Sequence, residues 1–132
     1  MTDYLIYFNQ QWVGDHTAEW FQSRGPTSMA VVNEMKDAGV LVFAGGLEEE
    51  GTPLFTAFSA DDTSGTLTIT DGPYVETAEV LGGLTIIDVE DEAAARMWAG
   101  KIAVGCGWPM EVRRFGPQSS GRHHVERDEP RS

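Results

Sequence analysis

Apolar residues along the chain fall into two kinds of pattern. Tyr4 to Phe8 (YLIYF), Val40 to Ala44 (VLVFA) and Leu84 to Val89 (LTIIDV) are near-continuous apolar runs rich in β-branched and aromatic residues. Such runs predict buried strands. Leu54 to Phe58 and Met110 to Phe115 (MEVRRF) predict two further strands. Thr66 to Thr70 (TLTIT) alternates strictly, which predicts a strand with Leu67 and Ile69 turned inward and the threonines outward. Two stretches carry helical spacing instead. Thr27 or Ser28 is placed to cap a helix MAVVNEMKDA, with Val31, Val32, Met35 and Ala38 on one face and Gly39 to end it. Asp91 is placed to cap EAAARMWAGKIA, with Ala94, Met97, Trp98 and Ile102 on its buried face.

The punctuation between these runs is turn chemistry. Asp15 or Thr17 can cap a short helical turn carrying Trp20 and Phe21, which Arg24-Gly25-Pro26 is expected to break. Gly45-Gly46 allows a bend, and Glu48 to Gly51 reads as an exposed acidic loop. Ala60 to Gly65 (ADDTSG) closes a hairpin, Asp71-Gly72-Pro73 is a tight turn, Gly82-Gly83 is a further break and Gly105 to Pro109 is a loop. Tyr74 to Leu81 (YVETAEVL) is ambiguous, too short for its pattern to decide between helix and strand. The order β-α-β-β-β-β-α-β implies an α+β sandwich with both helices on one face of an antiparallel sheet. Without the middle hairpin it reduces to βαββαβ, a ferredoxin-like plan. Apolar residues on both faces of three strands then ask for a cover on the open face, and a homodimer is expected to supply it.

Composition narrows the class. A chain of 132 residues with 13 aromatics can build one core. The formal net charge is −12, which disfavours nucleic acid and anionic membrane surfaces as partners. Residues 117–132 (PQSSGRHHVERDEPRS) are polar, with three Arg balancing three acids, and predict a disordered tail. Residues 1–116 therefore form the domain and hold all of the net charge. His123 and His124 lie in that tail and do not make a preformed metal site. No apolar run is long enough to cross a membrane, and MTDYLIYF lacks the pattern of a signal peptide, so a cytoplasmic protein is expected. The single cysteine, Cys106, excludes an intramolecular disulfide and reads as a small packing residue between two glycines. No glycine run matches a phosphate-binding loop, and no cofactor or metal is expected.

One stretch carries a family likeness. DGPYVETAEVLGGLTIIDV (71–89) resembles the signature of the YCII-related (YciI-like, DGPF) family, approximately D-G-P-[FY]-x-E-x-K-E-x-L-G-G-[FY]. EMKDAGVLVFAGGL is similar to that family's first helix and second strand, and EDEAAARMWAGKIA with EVRRF to its second helix and last strand. Ala78 stands where the family has lysine, and Leu84 where it has an aromatic residue. The resemblance implies a ferredoxin-like subunit that pairs sheet to sheet as a dimeric α+β barrel. It also implies small-molecule chemistry, since a few relatives act in breakdown or biosynthesis, a dehydrochlorination among them. Some relatives carry a histidine at the start of the first helix, a place that falls near Ser28 here, so no His–Asp pair is expected.

Three residues are candidate catalytic groups. Asp71 can present a carboxylate at a strand end, or hold its own turn as an Asx residue. Glu76 matches the family pattern and lies three residues from Glu79, so the two would share a helical face. His16 is the one histidine in residues 1–116 and could serve as a base, or be merely exposed. Tyr7, Tyr74, Arg113 and Arg114 are candidate ligand-binding residues. The two arginines alternate along a strand, so one faces inward, where it could hold a carboxylate ligand or pair with Asp71 or Glu76. Tyr7, Trp12, Trp20, Phe43, Phe55 and Phe58 could line an apolar pocket or belong to the core and dimer interface. The expected function is a cofactor-independent acid–base isomerisation or elimination on a small organic molecule. The alternatives are non-catalytic small-molecule binding or regulation, and a dimeric partner-binding role.

Overall fold

In a computed structural model, which describes residues 1–48, 54–74 and 79–120, the elements follow the expected order. They are β1 (Thr2–Asn9), a 3-10 turn (Gln10–Trp12), α1 (Ala18–Asp37), β2 (Leu41–Gly46), β3 (Thr56–Ala60), β4 (Leu67–Asp71), β5 (Leu81–Val89), α2 (Glu92–Cys106) and β6 (Glu111–Arg114). One antiparallel sheet runs β2-β5-β1-β6, and β3 and β4 form a separate two-stranded sheet. The two long strands β1 and β5 are central, and the shorter β2 and β6 lie at the edges. This α+β arrangement is compatible with a ferredoxin-like fold. Among the described residues, no helix is long and apolar enough to cross a membrane.

Strand alternation sorts the sheet's side chains. Tyr4 and Ile6 of β1 and Ile87 and Val89 of β5 are buried against Met35 of α1 and Ala95, Trp98 and Ile102 of α2. Burying such side chains fully is worth about 1.5–3 kcal/mol each, so this cluster is the main reason the helices lie on this face. The opposite face carries its own rows. Phe43, Ile86, Leu5 and Arg113 register across all four strands, and Gly45, Leu84, Tyr7 and Glu111 form the next row. Leu5, Leu84 and Ile86 are half-buried there, and Phe43 is 55% exposed.

Five sequence expectations are corrected. The break at Arg24-Gly25-Pro26 does not occur: α1 runs through Pro26 as one 20-residue helix. Thr17 caps it by accepting from Trp20 N–H at 3.1 Å. Gly25 has no Cβ to clash with the proline ring, which relieves the usual restriction on the residue before proline. Thr27 Oγ1 donates to the Gly105 carbonyl of α2 at 2.6 Å, tying this stretch to the neighbouring helix.

The hairpin does not turn Leu67 and Ile69 inward. Ile69 lies opposite Phe58 and Leu67 opposite Ala60, and Phe58, Leu67 and Ile69 are 57–60% exposed. Alternation shows only that one face of a strand is apolar; β3 and β4 pair with each other, and none of the main strands is bonded to them among the described residues.

The Gly82-Gly83 pair is not a break but part of β5, in register with Phe8 and Gly46. The buried stripe of α2 is Ala95, Trp98, Ile102 and Gly105, while Met97 is 45% exposed. That helix also runs two residues into the expected loop. It stops at Gly107, whose φ of 90° is left-handed and favours glycine. A Cβ there would also lie 2.9 Å from Arg24 Cδ and Trp20 Cζ2. Asp91 is the N-cap, accepting from Ala94 N–H at 2.9 Å, as its position predicted. Gly39, with φ of 73°, follows α1 as expected.

Candidate functional site

Between α1, the end of α2 and the sheet lies a cleft of about 370 Å³. Its floor is core: Ile6, Met35 and Ile102 are all buried. Its mouth is open at Met29, which is 53% exposed, and along Gly45-Gly46 of β2. Phe8 and Trp108 form an aromatic wall, with ring centroids 5.1 Å apart and planes tilted by 57°. The Phe8 ring lies where side chains on Gly82 and Gly83 would go: a Cβ at Gly82 would be 2.6 Å from Phe8 Cε2, and one at Gly83 would be 2.8 Å from Phe8 Cε1. The two glycines of the LGG stretch are therefore what allows Phe8 to take its place in the wall.

The polar groups of the lining are few. Ser28 Oγ donates to the Gly25 carbonyl at 3.1 Å. Thr85 lies buried on β5. Cys106 brings a half-buried thiol, whose pKa burial pushes up, with a smaller opposing pull from Arg24. Trp108 brings an indole N–H that is buried and has no hydrogen-bond partner among the described residues. No Asp, Glu, His, Lys or Arg is among the described residues of the lining.

The aromatic wall continues away from the cleft. Trp108 is 6.1 Å from Trp20, and His16 stacks on Trp20 with centroids 3.5 Å apart. Arg24 lies over the same indole at 5.4 Å. His16 Nε2 is 2.9 Å from the Val13 carbonyl. A carbonyl only accepts, so Nε2 carries the proton. His16 thus sits two residues ahead of α1, held by a stack and a backbone bond.

The family model for the YCII-related domain matches residues 5–106. The chain belongs to that family. The matched stretch of this YCII-related domain runs from β1 to the end of α2, and it includes the cleft except for Trp108 and Met110. No curated protein matches the chain in sequence.

The six candidate residues that the structure describes do not converge on one site in this YCII-related domain. Asp71 is exposed at the end of β4, opposite Thr56, and the turn after it is closed by Gly72 N–H donating to the Phe55 carbonyl. Tyr74 is 70% exposed. Glu76 lies outside the described residues. His16 adjoins a separate shallow hollow with Asp15, Thr17 and Trp20.

Tyr7 and Arg113 do come together, on the open face of the sheet. Tyr7 O–H donates to Glu111 Oε1 at 2.6 Å. That bond is the main reason the Tyr7 pKa is raised, with burial and the Glu111 charge adding to it and Arg113 opposing. Arg114 faces the other way, beside Glu92 and Arg96. The carboxyl of Glu92 is held below its usual range mainly by Arg96, at 2.6 Å, with Arg114 contributing. Neither arginine's environment involves Asp71 among the interactions described. Among the described residues, no group of three or more His, Cys, Asp or Glu side chains could hold a metal ion.

The cleft's own residues were not singled out from the sequence. Of the six aromatics that could line a pocket or belong to the core and dimer interface, none lines this cleft; Phe43 and Phe58 are exposed on other faces. Phe8 and Trp108 do so instead. A usable signal existed for Phe8: a glycine pair in a strand marks a close approach by another group. For Trp108 and Cys106 there was none, since a helix ending at Gly107 rather than Gly105 is a packing outcome.

Proposed function

We propose that this YCII-related protein is a small-molecule-binding module that works as a homodimer, with the cleft between helices and sheet as its binding site. The observation that carries the reading is the cleft. Its volume is within the range of about 300–1,000 Å³ found for ligand pockets, and its lining is mainly apolar with a few polar points. Binding is favoured over acid–base turnover because no carboxylate or imidazole is among its described lining residues.

Support for the dimer comes from the open face of the sheet, where Leu5, Leu84 and Ile86 remain half-buried and Phe43 exposed. A second sheet packed on that face would complete a dimeric α+β barrel and bury the Tyr7–Glu111–Arg113 cluster near its edge.

Ligand-observed NMR with a set of small apolar fragments tests the site. Binding to the wild type and its loss in Ala44→Phe, with the variant's fold checked by circular dichroism, is the expected result; equal binding by the variant would move the site elsewhere. Sedimentation tests the assembly. A dimer at micromolar concentration that Phe43→Glu converts to monomer is expected, and a monomeric wild type refutes the sheet-to-sheet pairing.

A further inference from the structure

We infer that the cleft takes mostly apolar molecules that carry a hydroxyl, and that Thr85 in its floor is the residue that binds that hydroxyl. This rests on the reading of the cleft as a binding site.

The strand places the side chain. On β5, Ile87 and Val89 face the helices and enter the core. Thr85 lies two residues before Ile87 in the same strand, so it faces the same way. Across the sheet it registers with Ile6 of β1 and Ala44 of β2, and all three line the cleft. Thr85 is only 8% exposed. Its hydroxyl nevertheless makes no hydrogen bond among the described residues, and it is not one of the buried polar atoms sealed from water. A group set so deep that still meets water does so through the cleft it lines.

The residue type then points to a ligand. Threonine and valine have nearly the same shape, and both suit a strand. Valine would fill the place between Ile6 and Ala44 with no polar group to desolvate. A buried hydroxyl without a partner is unfavourable, and a ligand's hydroxyl removes that disadvantage. Threonine both donates and accepts, so it can pair with a second hydroxyl in either sense. The other polar side chains of the lining are less suited. The Ser28 hydroxyl already gives its proton to the Gly25 carbonyl, which leaves it only an acceptor. The Cys106 thiol is a weak donor and a weak acceptor. The Trp108 indole N–H is sealed from water, so it does not open into the cleft. Ile6, Val32, Met35 and Ile102 supply apolar surface for the rest of the ligand.

The test compares benzyl alcohol with ethylbenzene, two probes of one shape that differ by a hydroxyl in place of a methyl. Both are titrated into the full chain, as wild type, Thr85→Val and Thr85→Ser. In Thr85→Val the ratio of the two affinities should move about fivefold against the alcohol, while Thr85→Ser should keep the wild-type ratio. The free Thr85→Val protein should unfold at the same temperature as the wild type or a higher one, because no bond within the fold is lost; a hydroxyl with a structural role would lower it. In the wild type, the Thr85 methyl resonance, assigned through the backbone, should move as benzyl alcohol is added. An unchanged affinity ratio in Thr85→Val, a lower unfolding temperature, or an unmoved Thr85 resonance overturns this inference while leaving the cleft a binding site. Failure of both probes to bind the wild type overturns the binding-site reading and the inference with it. The methyl resonance is read on the wild type, so it does not depend on a variant folding.

Discussion

Gly100 and Gly105 lie on the same helix, and the structure gives them opposite roles. Around Gly105, α1 and α2 approach so closely that a Cβ would sit 2.9 Å from Val31 Cγ2 and 3.0 Å from the Thr27 carbonyl oxygen. The second contact is with backbone, which cannot rotate away. Thr27 Oγ1 also bonds the Gly105 carbonyl at 2.6 Å, so separating the helices weakens that bond as well. Overpacking of this kind costs about 1–3 kcal/mol. A better helix former returns up to about 1 kcal/mol, less at a helix end. Gly105→Ala should therefore destabilise by about 1–2 kcal/mol. Gly100 is exposed, and a Cβ there would meet nothing within 4 Å, so Gly100→Ala should instead stabilise by up to about 1 kcal/mol. Urea unfolding of both variants at one protein concentration measures the pair. A Gly105→Ala protein as stable as Gly100→Ala would refute the claim that the helix crossing is closed by the missing side chain.

Two other outcomes follow from single contacts. Asp91→Ala removes the acceptor for Ala94 N–H and should cost about 0.5–2 kcal/mol in the same assay, whereas Asp91→Asn should keep most of the stability. Glu111→Gln should bring the raised Tyr7 pKa back toward the ordinary value, read as tyrosinate absorbance in an alkaline titration. Because the folded-state pKa is raised, the stabilisation linked to Tyr7 is fully present below the unfolded value, near about 10, and is lost as pH rises through the folded one. The wild type should lose stability across that alkaline window more steeply than Tyr7→Phe, and identical profiles would contradict the bond.

The elements themselves were largely legible. Apolar runs placed β1, β2 and β5, and cap chemistry placed Asp91 and Gly39; for α1 it offered Asp15 or Thr17 for a short turn and Thr27 or Ser28 for the main helix, and Thr17 caps the whole of it. The DGP and LGG stretch pointed to the family. What misled was local punctuation. A Gly-Pro pair reads as a break, yet α1 passes through it because Gly25 lacks the clashing Cβ and Thr27, just beyond the proline, is tied to the Gly105 carbonyl of α2. Gly82-Gly83 reads as a turn, yet the pair stays in β5 because Phe8 occupies the space above it.

The candidate site was much less legible, and for one reason. Chemistry-bearing side chains such as Asp71, His16 and Arg114 are easy to notice, but their convergence depends on which strand faces which layer. The sequence by itself determined the order of elements, the class of fold, the family and the acidic charge, because period, capping and composition are local properties. Only the tertiary structure decided that α1 is one helix, that the hairpin's apolar face is exposed, and that Phe8, Cys106 and Trp108 meet in a cleft. Those outcomes rest on contacts between residues as far apart as β1 and the end of α2, where packing space, not local preference, selects the conformation.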